Sequence, residues 1–326
     1  MLTVRRLTLP ATEKVDMRMR TIFPRTPASA AGVDPLQPQA RPSNQRTCAL
    51  PSRTAGPVDA LSQYLESRGQ DNRAVSPTSR RMLERATNAV DTVRKQIPIR
   101  GNVKTDLVQT EQQAAHRLHA SRNTVMANMV KQLTSSNTRP PPALSGAVIC
   151  AAAARVTGAG NCDEFQSATL LEAGKTLEQG ERLVATLNDA KNHAFVQMES
   201  QRPDGTLRVV VLDAWANGPA VLAEDCAYAQ MNPGIHLREL NDRLDAFRAD
   251  RVATHLVNAH NNDPVSMQQL RTTLTRQYNE PAPSDFLFDE CHVSGRTVVA
   301  RAESLANAEV DRAGLAHTGS APPSQR

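Results

Sequence analysis

The stretch NHAFVQMESQRPDGTLRVVVLDAWA, from Asn192 to Ala216, holds two runs of two-residue period around the turn sequence RPDG. A chain that contains it has to accommodate an antiparallel strand pair. If Pro203, Asp204 and Gly205 form a three-residue loop, with Gly205 in the left-handed conformation of a bulge, Arg202 faces Thr206 and positions equidistant from Asp204 face each other. Phe195 then lies opposite Asp213 and His193 opposite Trp215. His193 and Asp213 project from the same face as diagonal neighbours, roughly 7–8 Å apart at Cα, close enough for an imidazole and a carboxylate to meet. A two-residue loop would send them to opposite faces.

A second local feature supplies what such a pair could act on. GAGNCDEFQSATLLEAG, beginning at Gly158, sets Cys162 between a glycine-rich turn and a predicted helix, with Asp163 and Glu164 in the first turn, where the helix dipole favours acids. A thiol at a helix N-terminus gains thiolate stabilisation from free backbone N–H groups, and the same groups can bind an oxyanion. The two acids partly oppose this. Cys162, His193 and Asp213 thus supply, in chain order, a nucleophile, a base and a group that orients the base. Each has a plainer reading as well. A lone cysteine beside glycine is usually a small buried apolar residue, and an aspartate at a strand end often only caps the next turn. Asn161 and Trp215 are candidates for lining a substrate cleft, and Trp215, the only tryptophan, could equally cover the hairpin end as core.

The rest of the sequence offers weaker chemistry. Five cysteines, Cys48, Cys150, Cys162, Cys226 and Cys291, are odd in number and fit no zinc spacing, so reduced thiols and no metal cofactor are expected. Cys226 is expected to be packed. Cys291 and His292 are adjacent and point to opposite faces of any strand, so they make a poor dyad. His116 and His119 are three apart on a predicted helix, a spacing that suits a metal, but no third ligand accompanies them and a solvated helix face is the expectation.

Residues 1–57 are rich in Pro, Arg, Ser, Thr and Ala without apolar period and read as a disordered leader. DALSQYLESRG predicts a short helix from an Asp59 cap to Gly69, and two amphipathic helices follow between Ser76 and Leu133, broken at PIRG. These make a helical region over 58–138. A proline-rich linker, 139–142, marks the expected domain boundary. A second domain over 143–300 opens with an all-apolar helix in ALSGAVICAAAARV, continues through Cys162 and the hairpin, and adds a helix near Leu237–Val257 and an extended segment near Phe286–Ala300. Residues 301–326 read as a flexible tail. The fold class expected is α+β.

Charge divides along the same line. Residues 1–142 hold 22 Lys+Arg against 10 Asp+Glu, a balance of +12, and the remainder 16 against 23, a balance of −7. The basic half has almost no interleaved aromatics, so nucleic-acid binding is not expected. No apolar run reaches a membrane span, no signal-peptide pattern opens the sequence, and Leu2 excludes N-myristoylation of the encoded start, so no lipid anchor is expected.

The segments GNCDEF, NHAFVQM, VVVLDAWANGPAV and LAEDCAYA together resemble the AvrPphE/HopX type of bacterial type III secreted effectors, a transglutaminase-like branch of the papain-like thiol enzymes. The resemblance spans about Val148 to Met231. It implies a papain/transglutaminase-like core, with the nucleophile on a helix N-terminus packed against an antiparallel sheet. It also implies Cys162 as nucleophile, His193 as base and Asp213 as its orienter. Further implications are delivery through a type III apparatus into the host cytoplasm, a secretion chaperone at the N-terminus, and a host protein as substrate. Protease, deamidase and transglutaminase chemistry stay open, because water or an amine can release an acyl-enzyme. A non-catalytic effector that binds a host protein through the basic helical region is the competing expectation. The two differ in whether Cys162→Ala abolishes the effect on the host.

Overall fold

The computed structural model describes residues 57–229, 235–277, 288 and 291–294. The predicted leader, the tail and Cys48 lie outside them. Within them the protein is α+β: nine α-helices and an antiparallel five-stranded sheet among the described residues.

Helix α1 (Pro57–Gln70) starts before the predicted cap, so Asp59 lies in its first turn. Helix α2 (Pro77–Gln96) opens on Ser76, whose hydroxyl accepts from the Ser79 N–H at 3.1 Å, with Pro77 at the first helical position. Met82, Leu83, Ala86, Ala89, Val90 and Val93 form its buried stripe at helical spacing. PIRG breaks the helix as expected, and its Ile99–Arg100 then forms a short strand, β1 (Ile99–Arg100).

The single helix predicted beyond it is divided into α3 (Lys104–Gln109), α4 (Gln113–Ala120), a π-turn over Ser121–Val125, and α5 (Met126–Ser135). Glu111 and Gln112 take left-handed φ of 49° and 70° at the break. The apolar residues serve two different clusters. Leu107, Ala114 and Ala115 pack with Ile99 and Ala159, whereas Val125, Met126 and Met129 join the main core, and one straight stripe cannot reach both.

Pro142 begins a 3-10 turn leading into α6 (Ser145–Thr157), buried nearly throughout as its composition predicts. Gly158, at φ 67°, terminates it. Strand β2 (Ala159–Gly160) pairs parallel with β1, Ile99 beside Ala159 and Arg100 beside Gly160. Helix α7 (Cys162–Gly174) follows at once.

The sheet comprises β3 (Glu181–Asn188), β4 (His193–Gln201), β5 (Leu207–Leu212), β6 (Val221–Leu222) and β7 (Ile235–Leu240), in the spatial order β6-β5-β4-β3-β7. Helices α8 (Arg243–Asn262) and α9 (Pro264–Gln277) complete the described chain. The helix expected from Leu237 begins instead after Asp242, whose carboxylate caps it through the Leu244 N–H at 2.7 Å, because Arg238–Leu240 pair with β3. Of the expected extended segment, Phe288 bridges to Val103, His292 to Asn217 and Ser294 to Cys226, and residues 286–287, 289–290 and 295–300 lie outside the described residues.

The domain boundary expected at 139–142 is absent. Leu61, Met82, Val90 and Met129, before the prolines, share one hydrophobic core with Ile149, Phe165, Leu183 and Val210, after them. Helix α2 packs on α7 and β5, and α7 on β3 and β4. Residues 57–135 therefore build the protein's interior and do not form an appended module.

The hairpin register is the predicted one. Val196 pairs with Leu212 and Gln201 with Leu207, Arg202 N–H donates to the Thr206 carbonyl at 2.8 Å, and Gly205 has φ 82°. A Cβ at Gly205 would meet nothing within 4 Å, so a side chain there is opposed by backbone conformation alone. Gly205→Val should destabilise the protein by about 1–2 kcal/mol in urea titrations, while a substitution at exposed Asp204 should be milder. Equal stability of Gly205→Val and wild type would remove the turn as the source of the register.

Candidate active site

Cys162 opens α7 on a complete capping box. Asn161 accepts from the Cys162 N–H through Oδ1 at 2.7 Å, and the Glu164 carboxylate reaches back to the Asn161 N–H at 2.8 Å. The box sets the first turn, and with it the direction of the thiol. It also engages N–H groups that would otherwise be free at this helix end, contrary to the expectation that they serve an oxyanion. Four residues on, buried Gln166 donates from Nε2 to the carbonyls of Thr186 and Phe195, each at 2.8 Å. That bond pair pins α7 across β3 and β4 two residues from His193.

The acids beside the thiol are balanced. Glu164 is buried and paired with Arg122 of the π-turn through bonds of 2.7 and 2.9 Å, and exposed Asp163 lies 3.7 Å from the same guanidinium. Burial disfavours the Arg122 cation, but Glu164, by charge and hydrogen bond, and then Asp163 and Cys162 hold it firmly protonated.

His193, at the start of β4, is buried, and its Nε2 lies 2.6 Å from Asp213 Oδ2. The diagonal pair that the hairpin predicts is thus formed. The Cys162 thiol is close enough to His193 to favour its protonated form. Burial works against imidazolium, but the Asp213 charge, the hydrogen bond to Asp213 and then the Cys162 thiol outweigh it and raise the His193 pKa to about 10.

Asp213 follows β5 and is buried. Burial opposes its charge, yet His193, by charge and hydrogen bond, and then Tyr228 and the Ala216 N–H hold its pKa below the ordinary carboxylate value. Oδ2 accepts from Tyr228 as well as His193, while Oδ1 accepts from the N–H groups of Trp215 and Ala216 at 3.0 Å each. The Tyr228 carbonyl is in turn held at 2.7 Å by Nδ2 of buried Asn188, which ends β3.

Trp215 is buried, its ring 4.9 Å from His193 and 5.5 Å from Phe288, with Nε1 donating to Asn102 Oδ1 at 3.2 Å. It walls the imidazole from within the core. Asn161, the cap of α7, is half-buried.

Several residues at the site were not legible as site residues. Arg94, in the last turn of α2, donates to the carbonyls of Asp213, Ala214, Ala216 and Gly218, fixing the loop that carries the carboxylate. In sequence it reads only as a cation complementing the helix dipole. Arg100 is buried on Asp106, at 2.6 Å, and reaches Asn217 at 3.3 Å. Asn102 carries no local motif, and Tyr228, though within LAEDCAYA, has no neighbour in sequence that marks it as a partner of Asp213. The other candidates fall away: Cys226 is buried as expected, and His116, expected on a solvated face, is buried in α4, with no metal-holding group among the described residues. No protein-family model, curated protein or solved structure matches this chain.

The four described thiols are free. Burial, acting first in each case, pushes Cys150, Cys226 and Cys291 up to about 12. Cys162 is less exposed than Cys150 or Cys291, so access alone would favour those two, whereas the histidine base near the thiol favours Cys162. Iodoacetamide at neutral pH should label Cys162 first of the four. Faster labelling of Cys150 or Cys291 in folded protein would contradict the geometry.

The raised His193 value also sets a pH dependence. A pKa higher folded than unfolded adds stability that is fully present below the unfolded value, about 6.5, and is lost as pH rises through about 10. Urea midpoints of wild type and His193→Gln should therefore differ most near pH 6 and converge towards pH 10. A gap that widens with pH would reverse the assignment.

Proposed function

We propose that the protein is a Cys-His-Asp thiol enzyme acting on amide groups of another protein. The observation that carries this reading is a buried imidazole hydrogen-bonded to a buried carboxylate, with a thiol at a helix start close enough to favour the charged ring. Cys162 is the nucleophile. His193 takes the thiol proton and returns it to the departing nitrogen, and Asp213 keeps the ring oriented and balances its charge.

The resemblance over 148–231 supports a papain/transglutaminase-like core. It further supports an effector delivered by a type III apparatus into the cytoplasm of a host cell, where a host protein is the substrate and defence is suppressed. Attack by water on the acyl-enzyme would give a cleaved peptide or a deamidated glutamine, and attack by an amine a crosslink. The competing reading, a binder that works through its basic helical segment, loses ground because arginines there are turned inward. Arg85 pairs with Glu181, Arg94 with loop carbonyls, Arg100 with Asp106 and Arg122 with Glu164.

Mass spectrometry of host-cell proteins exposed to wild type or Cys162→Ala distinguishes the outcomes. New termini, a glutamine-to-glutamate mass change or a crosslink, present with wild type and absent with Cys162→Ala, is the expected result. A host effect that Cys162→Ala retains in full would sink the enzymatic reading and favour the binder.

A further inference from the structure

We propose that Asn102 is a catalytic residue of this site, its side-chain amide Nδ2–H donating to the oxyanion that forms when Cys162 attacks a carbonyl. The inference rests on the thiol-enzyme reading above. Thiolate addition creates a charge that needs a fixed donor, and the nearest backbone donor, the Cys162 N–H, is taken by Asn161 Oδ1 at 2.7 Å. A side-chain donor has to take over that role.

Asn102 is placed for it from two directions. Strands β1 and β2 run in parallel, with Arg100 beside Gly160 and the Gly101 N–H donating to the Gly160 carbonyl at 2.8 Å, so the segment that leaves β1 through Asn102 starts beside the one that leaves β2 for Cys162. From the other side, Asn102 Oδ1 accepts from Trp215 Nε1 at 3.2 Å, and the Trp215 ring lies against His193. That bond fixes the amide's orientation and directs Nδ2 away from the indole. Asn102 is only 6% exposed, and Nδ2 has no hydrogen-bond partner among the described residues. A buried amide donor without a partner is costly, so one bonded to the indole that flanks His193 points to a partner that arrives with the reaction.

In the step proposed, Cys162 Sγ forms a bond to the carbonyl carbon and the C=O π pair moves onto oxygen, where Asn102 Nδ2–H meets the new charge. As C=O re-forms, the C–N bond breaks, the nitrogen leaves with the proton held by His193, and a thioester remains.

Two probes of Cys162 separate this role from a structural one. Iodoacetamide alkylates the thiolate by displacement at a saturated carbon and forms no oxyanion, whereas p-nitrophenyl acetate acylates it through one. Asn102→Asp keeps an oxygen acceptor for Trp215 and removes the Nδ2 donor. It should acylate on the order of 100- to 1000-fold more slowly, a loss well beyond whatever the added charge costs its alkylation rate. Trp215→Phe, which removes the Nε1 donor and leaves Nδ2 in place, should acylate far faster than N102D.

Should the buried charge in N102D unfold the protein, N102A carries the same test, with the alkylation rate as the check on folding. Wild-type acylation rates in the folded Asn102 variants would overturn the assignment while leaving the enzyme reading intact. An equal loss in Trp215→Phe would overturn it too, reducing Asn102 to a support for the indole. If wild-type Cys162 alkylates but is not acylated at all, the thiol-enzyme reading itself fails, and the role of Asn102 fails with it.

Discussion

A carboxylate charge in the protein interior is the constraint around which the rest is organised. Asp213 is buried, and an ion of that kind taken out of water is tolerable only when its oxygens are fully hydrogen-bonded and its charge is matched. Four donors meet it: the His193 ring, the Tyr228 hydroxyl and the N–H groups of Trp215 and Ala216. Each charge-assisted bond of this kind is worth about 1.5–3 kcal/mol net. The positions of β4, the 213–218 loop and the segment bearing Tyr228 are set by that requirement. Arg94 supplies the outer layer, since a loop curled around an anion turns several carbonyls the other way, and a guanidinium with five donors can satisfy them together.

The hairpin was legible because everything that fixes it is local. Gly205, the three-residue loop and the two-residue period lie within one short segment, and from them the shared face of His193 and Asp213 follows by counting. The capped start of α7 was legible for the same reason, as Asn161 and Glu164 flank Cys162 in sequence. Arg94 and Asn102 were not, since they reach the site across more than a hundred residues, from a segment that composition set apart as a separate helical region. Strand β3 escaped notice for a different reason. As an inner strand of the sheet it is buried on both faces, and ERLVATLN shows no clean alternation.

Charge misleads in a related way. The excess of basic residues before the proline run suggests a surface for partners, yet Arg85, Arg100 and Arg122 form ion pairs within the fold. Net charge counts cations without saying where their guanidinium groups point. The broken helix at Glu111–Gln112 has a similar lesson. Two apolar clusters lying in different directions call for a kinked path, and helix propensity alone cannot reveal that the stripe has two destinations.

The two readings of Asp213 that the sequence left open are both realised, because a carboxylate has two oxygens. Oδ1 performs the capping role, gathering the Trp215 and Ala216 N–H groups into a tight turn, and Oδ2 faces His193 and Tyr228. The first role makes the second effective. A carboxylate free to rotate about its terminal torsion would present either oxygen to the imidazole and lose rotational freedom on binding it. One already locked by two backbone donors presents Oδ2 in a fixed direction. Tyr228, its carbonyl held by Asn188, restricts that oxygen from a second side. The imidazole is thereby aimed from behind, and Trp215, carried on the same turn, lies beside it. The turn after β5 thus joins local backbone chemistry to the alignment of the thiol, since a change in its geometry would move the carboxylate, the indole and the histidine together.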